Sequence, residues 1–133
     1  QGGLPTVAEC GGFLYLGRTL QDADGTPHAM AGVLPGQGFK VGRLVRFGYD
    51  RLTARADSML FRAGETLPVH EFHHWDSTEN GDAFTAAKAN GRQWACGFAN
   101  ARFYAGFPHL YWAGTPLPKR FAAAAEHYIK ETS

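Results

Sequence analysis

A cysteine within a glycine-rich segment is the first feature of this sequence that could do chemistry. The segment VAECGGF, residues 7–13, has the form of a nucleophile elbow, in which a strand ends in a sharp turn and a helix follows. Small residues beside Cys10 suit such a turn because the backbones crowd there, and the nucleophile takes a strained conformation. The amide of Gly11 would then be placed to bind an oxyanion. The pattern predicts a nucleophilic cysteine.

The helix that follows the turn should also favour ionisation of the thiol. Because a helix N-terminus carries partial positive charge, it lowers the pKa of a nearby thiol and stabilises the thiolate. A structural cysteine buried before a Gly-Gly turn is the alternative, and it is the commoner role of an isolated cysteine. The turn by itself leaves both interpretations open.

The surrounding pattern predicts a mixture of strands and helices. Apolar spacing indicates a helix over residues 13–20 and a second helix that starts near Pro118. Strand-like segments lie at residues 6–8, 30–34, 43–55, 67–73, 93–98 and 109–112, and turns at 22–27 and 79–82, the latter in a hairpin. Since residues 30–97 show few helix signals, we expect an α/β or α+β fold whose sheet has an antiparallel extension.

Composition narrows the class of protein. The 133 residues suffice for one domain, and the net charge of +1 gives no electrostatic reason to expect nucleic acid or a membrane as partner. Cys10 and Cys96 have no CxxC spacing, which suits reduced thiols in the cytoplasm. A nucleophile only ten residues from the first residue would have little protein around it, so we expect a fragment of a longer polypeptide.

Three blocks of sequence carry a resemblance to a known family. LPTVAECGGFLYLGRTLQDADGTPHAMAGVLPG, VHEFHHW and FPHLYWAGTPLPKRF follow one another along the chain. Together they resemble the cobyrinic acid a,c-diamide synthases and their cobyric acid synthase relatives, whose glutaminase domains are similar to class I glutamine amidotransferases. The resemblance implies a flavodoxin-like sheet flanked by helices with an antiparallel strand extension. Residues 1–133 would then be a glutaminase domain that lacks its N-terminal part.

The resemblance also implies a reaction. Cys10 matches the family's nucleophile and His109 matches the histidine that activates it, so that the thiolate attacks the side-chain amide of glutamine. Ammonia would pass to a synthetase domain outside this chain, which uses ATP and Mg²⁺ to amidate the a and c carboxylates of a corrinoid. No cofactor is expected in residues 1–133 themselves, and a homo-oligomer stays open.

Departures from the family pattern leave alternatives. Many class I amidotransferases have Glu two residues after the catalytic histidine, where this chain has Tyr111, and Gln four residues after the nucleophile, where it has Leu14. We therefore nominate no third triad residue. A non-catalytic binding or interface domain remains an alternative, as does the glutaminase of a cobyric acid synthase or of another tetrapyrrole amidase.

The segment HEFHH at residues 70–74 is the densest ionisable cluster. A zinc site is one interpretation, but strand alternation would send its histidines to different faces. A strand with hydrogen-bonded histidines is the simpler one. The resemblance adds a third, in which Glu71 and His73 line the glutamine site or face the synthetase domain. Three further groups have structural interpretations. The four arginines Arg43, Arg46, Arg51 and Arg55 are interpreted as the solvated face of a strand, and Cys96 as an inert core thiol. The aromatic residues around His109 are interpreted as core or pocket wall: Phe103, Tyr104, Phe107, Tyr111 and Trp112.

Overall fold

The computed structural model describes residues 2–133, which form twelve strands and two helices. The helices are α1 (Gly11–Tyr15) and α2 (Leu117–Thr132). In chain order the strands are β1 (Thr6–Glu9), β2 (Thr19–Gln21), β3 (Pro27–Ala29), β4 (Gln37–Lys40), β5 (Arg46–Ala54), β6 (Thr66–His73), β7 (Trp75–Ser77), β8 (Phe84–Ala87), β9 (Gln93–Cys96), β10 (Phe98–Asn100), β11 (Phe103–Gly106) and β12 (His109–Leu110). The predicted mixture of α and β structure is confirmed.

The strands form three sheets, and the two candidate catalytic residues belong to different ones. A three-stranded sheet has the order β1-β11-β10, and β1 and β11 run parallel. A five-stranded sheet has the order β12-β6-β5-β8-β9 and is antiparallel throughout. Cys10 directly follows β1, whereas His109 begins β12. The third sheet has the order β3-β2-β4-β7, and its strands β2 and β4 run parallel. Strand β2 of this sheet contacts α1.

The long strands β5 and β6 alternate between a buried and an exposed face, as expected for a sheet with one face towards the core. Leu52, Ala54, Leu67 and Val69 point inwards and join the larger hydrophobic core. The outer face is aromatic: Phe47, Tyr49 and Phe72 are 60%, 80% and 49% exposed. In the described residues, this sheet therefore has one apolar face in the core and one in solvent.

Two predicted elements near α1 are wrong. The helix predicted over residues 13–20 ends at Tyr15, because the backbone of Gly17 lies against that of Gly36: a Cβ on Gly17 would come within 2.7 Å of the Gly36 carbonyl oxygen. Residues 30–34 form no strand, since the amides of residues 31, 32 and 34 donate to the carbonyls of residues 15, 17 and 16. The carbonyls at the end of α1 thus take the place of a strand partner.

Predictions for the segments after residue 60 agree with the structure at some elements and differ at others. Strand β6 and the start of α2 at Leu117, with Pro118 in the first turn, agree with the predictions. The turn at residues 79–82 does not close a hairpin, because β7 and β8 lie in different sheets. The predicted strand over residues 93–98 is broken at Gly97, whose φ of 82° favours glycine. None of the described helices is long and apolar enough to cross a membrane.

Candidate active site

The backbone at Cys10 has the strain expected of a nucleophile elbow. Its φ of 54° and ψ of −108° make it the only non-glycine residue with positive φ among residues 2–133. Two backbone hydrogen bonds hold this conformation: the amide of Cys10 donates to the carbonyl of Gly106 at 2.9 Å, and the amide of Leu14 donates to the carbonyl of Cys10 at 3.1 Å. The surrounding structure must stabilise such a conformation, which makes Cys10 a functional candidate.

The electrostatic surroundings of the thiol differ from the prediction. Burial raises the pKa of Cys10 above its ordinary value, and the negative charges of Glu71 and Glu9 raise it further. A hydrogen bond from the amide of Gly11 to the sulfur lowers this pKa, but does not outweigh burial. The predicted net lowering by the helix N-terminus is therefore wrong, because α1 has only five residues and the thiol is half-buried.

The glycines after Cys10 leave space rather than relieve crowding. A Cβ built on Gly11 would meet nothing within 4 Å, and one on Gly12 would reach the Cβ of Ala8 at an ordinary 3.5 Å. The expectation that crowding requires both glycines is wrong for this reason.

His109 lies at the surface, at the start of β12. It pairs with His70 of β6 in the antiparallel register, and its side chain is exposed. A cavity of about 260 Å³ lies beside it, lined by Tyr49, Pro68, Val69, His70, Leu110 and Tyr111. A larger cavity, of about 470 Å³, lies near the start of β1 and contains neither Cys10 nor His109.

Glu9 connects the strand of the nucleophile to the strand of the histidine. Its carboxylate Oε2 accepts a hydrogen bond from the amide of Leu110 at 2.7 Å, although the two residues are far apart in sequence. Glu9 is also in register with Gly106 on the neighbouring β11. Sequence reasoning missed this residue, and its only local signal was an ionisable side chain next to Cys10.

Glu71 and His73 lie inside the protein, with 1% and 5% of their surface exposed. The imidazole Nδ1 of His73 donates to the carbonyl of Trp75 at 2.8 Å, and Nε2 lies 3.2 Å from Oε1 of Glu71. Since Nδ1 carries a proton, the contact between Nε2 and Oε1 requires a second proton that the pair shares. The two side chains do not line the cavity beside His109.

A second carboxyl group extends this buried pair. The Asp50 carboxyl group is buried near Glu71, and the two groups perturb each other's pKa, but both Asp50 oxygens and Oε2 of Glu71 are buried without a hydrogen-bond partner among the described residues. Burial and the Glu71 carboxyl group raise the pKa of Asp50 to about 6, against the opposing effect of Lys88, whose Nζ lies 3.1 Å from Oδ1. Burial alone would raise the pKa of Glu71, but His73, Asp50 and the charge of Arg46 lower it overall. Sequence reasoning missed Asp50 and Lys88.

Arg46 departs from its predicted setting, whereas Tyr111 agrees with its predicted one. Arg46 is partly buried, with its guanidinium 4.6 Å from the ring centre of Trp94, so it does not belong to a solvated row with Arg43, Arg51 and Arg55. Tyr111 is 59% exposed and lines the cavity beside His109 as pocket wall. Tyr104, Phe107 and Cys96 are buried as expected, and burial raises the pKa of Cys96 to about 12.

The histidines of the HEFHH segment do not converge. His73 points to the core, His74 is exposed, and His70 lies between the rings of Phe47 and Tyr49 on the outer face. Residues 2–133 contain no group of three or more His, Cys, Asp or Glu side chains that could hold a metal ion. Strand alternation explains the divergence of these side chains.

Comparison with known proteins identifies the family. Residues 1–116 match the CobB/CobQ-like glutamine amidotransferase domain. The chain belongs to this family. The resemblance that the three sequence blocks carry is thereby confirmed, and Cys10 and His109 are assigned to this amidotransferase domain as candidates.

Curated relatives of this amidotransferase domain are longer proteins. The cobyrinate a,c-diamide synthases of Salmonella typhimurium and Thermoplasma volcanium are 35% and 33% identical, each over 97% of this chain. The hydrogenobyrinate a,c-diamide synthase of Thermobifida fusca is 37% identical over 92%. These matches cover 29%, 29% and 26% of the relatives, so the chain spans less than a third of their length.

Proposed function

We propose that residues 1–133 are part of the glutaminase domain of a longer ATP-dependent ligase. The domain would hydrolyse glutamine at Cys10 and supply ammonia for amidation of the a and c carboxylates of cobyrinic or hydrogenobyrinic acid. The observation that carries the proposal is the strained backbone of Cys10, with φ of 54°, in a chain that matches an amidotransferase family. The names of the relatives, cobyrinate and hydrogenobyrinate a,c-diamide synthase, support the choice of corrinoid.

The chemistry of glutamine hydrolysis assigns a role to each candidate residue. The sulfur of Cys10 attacks the side-chain amide carbon, and the amide of Gly11 stabilises the negative oxygen of the tetrahedral intermediate. His109 takes the thiol proton and delivers it to the leaving nitrogen, so that ammonia departs and a thioester remains. Water, deprotonated by His109, then attacks the thioester and releases glutamate and the Cys10 thiol. Glutamine and water thus give glutamate and ammonia.

The raised pKa of Cys10 makes a nearby base important. Because burial and two negative charges keep the thiol protonated at neutral pH, the sulfur needs a group that removes its proton as it attacks. The base that we propose is His109, which follows Gly106 by three residues, and the carbonyl of Gly106 accepts a hydrogen bond from the amide of Cys10. This supports a cysteine–histidine pair rather than a preformed thiolate.

The rest of the proposed enzyme lies outside this chain. ATP and Mg²⁺ would act in the synthetase part, which activates the corrinoid carboxylates, and no step of glutamine hydrolysis runs through them. We further propose that β1 and β11 belong to a flavodoxin-like sheet in the whole domain, and that the reaction takes place in the cytoplasm, where both thiols stay reduced. The parallel pairing of β1 with β11 supports the sheet assignment.

The proposal that glutamine hydrolysis and amidation take place in separate domains can be tested in the full-length polypeptide. Cys10→Ala should abolish amidation that depends on glutamine and leave amidation with added ammonium salt unchanged, because only the first needs the nucleophile. Cys96→Ala is the matched control and should keep both activities, since Cys96 is a buried core residue. Loss of both activities in Cys10→Ala would contradict the proposal.

A non-catalytic binding domain is the second candidate. The raised pKa of Cys10 favours it, as does the solvent-exposed imidazole of His109, which has no hydrogen-bond partner among residues 2–133. A glutamine-analogue electrophile separates the two functions. Selective modification of Cys10 over Cys96 in the full-length polypeptide supports hydrolysis, whereas equal or absent modification supports the binding domain.

A further inference from the structure

The segment between Gly106 and Leu110 is attached to two consecutive residues of the nucleophile turn. At its start, the carbonyl of Gly106 accepts a hydrogen bond from the amide of Cys10 at 2.9 Å. At its end, the amide of Leu110 donates to Oε2 of Glu9 at 2.7 Å. His109 lies between these two attachments. The chain therefore fixes both ends of the segment that carries the histidine against β1.

The middle of the segment is held by packing. Phe107 is 4% exposed, stacks on His73 with 3.8 Å between ring centres, and meets Phe13 of α1 at 5.0 Å. The hydroxyl of Tyr104 donates to the carbonyl of Pro108 at 3.3 Å. Neither contact reaches past Pro108, so the position of His109 depends on what holds the chain after it.

The chain after His109 is held by the Leu110 side chain, which is buried in the larger hydrophobic core, and by two sets of backbone contacts. One is the pairing of β12 with β6, which consists of only two residues and lies at the edge of the five-stranded sheet. The other is the hydrogen bond from Leu110 to Glu9, which reaches the other sheet. A hydrogen bond to an ionised carboxylate is stronger than one between neutral groups. The Glu9 carboxylate is thus the hydrogen-bonding contact between this strand and β1, beside the packing of Leu110 in the core that Val7 of β1 also contacts.

We propose that Glu9 is a positioning residue, which holds His109 at the distance from Cys10 needed for proton transfer by binding the amide of Leu110. This inference rests on the proposed function, because it assumes that His109 serves Cys10. The imidazole of His109 has no hydrogen-bond partner among the described residues, and Tyr111 stands two residues later, where the resemblance to class I amidotransferases leads us to expect Glu. No described side chain therefore orients the imidazole of His109, and its position depends on how the backbone on either side is held.

The charge of Glu9 offers a different explanation for any effect of mutation. The carboxylate also contributes to the raised pKa of Cys10, so its removal would make the thiol easier to ionise. Glu9→Gln separates the two effects, because its side-chain oxygen can accept the same hydrogen bond without the charge. Glu9→Ala removes both, and Glu9→Met removes both while keeping the length of the side chain.

The experiment measures glutamine hydrolysis by the full-length polypeptide. Glu9→Ala and Glu9→Met should lower kcat by about 10- to 100-fold with KM changed less than about threefold, because a misplacement near 1 Å can cost that much. Glu9→Gln should stay within about fivefold of the wild type. Glu126→Ala, on the exposed side of α2, is the matched control and should have no effect.

Hydrogen exchange at the amide of Leu110 gives a readout that does not depend on activity. Exchange should accelerate in Glu9→Ala and Glu9→Met and stay slow in Glu9→Gln. If Glu9→Ala fails to fold, Glu9→Met supplies the same comparison. Wild-type kcat in Glu9→Ala or Glu9→Met, or equal losses in Glu9→Gln and Glu9→Ala, would overturn the inference.

The variants Cys10→Ala and His109→Ala separate this inference from the proposed function. Both should lose glutamine hydrolysis, and Glu9→Ala should add no further loss of Cys10 labelling by a glutamine-analogue electrophile in a His109→Ala background, because Glu9 acts through His109. If Cys10→Ala keeps full hydrolysis, the proposed function fails and the role of Glu9 fails with it. If Cys10→Ala is inactive and Glu9→Ala is not, only the role of Glu9 fails.

Discussion

The imidazole of His73 lies parallel to the ring of Phe107, with ring centres 3.8 Å apart and planes inclined by 6°. Phe107 meets Phe13 in the helix after Cys10, and the same imidazole contacts the Glu71 carboxylate. The buried polar cluster is therefore in direct contact with the packing behind the nucleophile turn. A change in the cluster should affect that packing as well as the stability of the sheet.

Replacement of His73 by Phe tests how much the contact between its imidazole and the Glu71 carboxylate contributes to stability. The variant keeps an aromatic ring against Phe107 but leaves the Glu71 carboxylate without its partner, and breaking a buried charged pair costs about 3 kcal/mol or more. We expect His73→Phe to lower the free energy of unfolding in urea by about that amount. The comparison variant is Phe107→Leu, which affects packing alone. A larger loss in Phe107→Leu than in His73→Phe would show that the polar contacts contribute little.

The raised pKa of Asp50 should make the free energy of unfolding depend on pH. The folded-state pKa of Asp50 is raised from 3.8 to about 6, so between these values the folded protein binds more protons than the unfolded chain. The free energy of unfolding contributed by Asp50 therefore falls as pH rises through this window. The pKa of Glu71 is lowered from 4.5, so Glu71 adds little slope above that pH.

Asp50→Asn isolates this effect. Its amide can still donate to Glu71 but does not titrate, so the variant should lose the downward slope between about pH 4.5 and about pH 6. Urea unfolding of both proteins across this range measures the difference, in which the contributions of the six histidines cancel. Parallel curves for the two proteins would contradict a raised pKa at Asp50.

The ion pair between Glu65 and Arg120 should stabilise the packing of α2 at neutral pH and lose this effect in acid, whereas the contribution of Asp50 is lost as pH rises. Hydrogen bonds from the Arg120 side chain and the Arg62 amide lower the pKa of Glu65 to about 2. Its contribution is thus present above about pH 4.5 and is lost as pH falls towards about 2. Since the carboxylate is 37% exposed, solvent screening limits the cost of Glu65→Gln to about 1 kcal/mol at neutral pH.

Thermal unfolding of Glu65→Gln at neutral and acidic pH checks this prediction. The difference from the wild type should shrink as pH approaches about 2. Glu126→Gln, also on α2 but exposed, serves as the control and should change stability little at either pH. A constant difference at all pH values would mean that Glu65 acts through packing instead of charge.

The two cysteines should differ in their reaction with iodoacetamide. Cys10 is half-buried, whereas Cys96 is 6% exposed and its pKa is raised to about 12. We expect Cys10 to react at least about tenfold faster at mildly alkaline pH, with a rate that still rises above the ordinary thiol pKa. Mass spectrometry of the labelled peptides measures both rates, and Cys10→Ala and Cys96→Ala confirm the assignment. A Cys10 rate that levels off near neutral pH would contradict a raised pKa.

Local patterns predicted the parts of the fold whose causes are local. Strand β6 follows from its alternation, and the start of α2 follows from Pro118 and the apolar spacing after it. The elbow at Cys10 could be identified because strand, cysteine and glycines are consecutive in sequence. The length of α1 could not, since it depends on the approach of Gly36 to Gly17, which are brought together only by the tertiary fold.

For the candidate site, the sequence predicted only the two residues that we propose as reactive. Cys10 and His109 lie in blocks that resemble a family, so the likeness of those blocks was enough to name them. Glu9, Asp50 and Lys88 act through partners distant in sequence, and no spacing rule links Glu9 to Leu110 or Lys88 to Asp50. The raised pKa of Cys10 was missed because burial depends on the packed structure.

The placement of Cys10 after a strand of one sheet and of His109 in a strand of another has a consequence for heating. A small sliding of the two sheets past each other separates the pair while the hydrogen bonds within each sheet stay intact. Catalysis should then be more sensitive to temperature than secondary structure is. The rate of the proposed glutamine hydrolysis would decrease on warming before the far-ultraviolet circular dichroism changes. The highest temperature at which this activity persists would be set by the contact between the sheets rather than by unfolding of the strands.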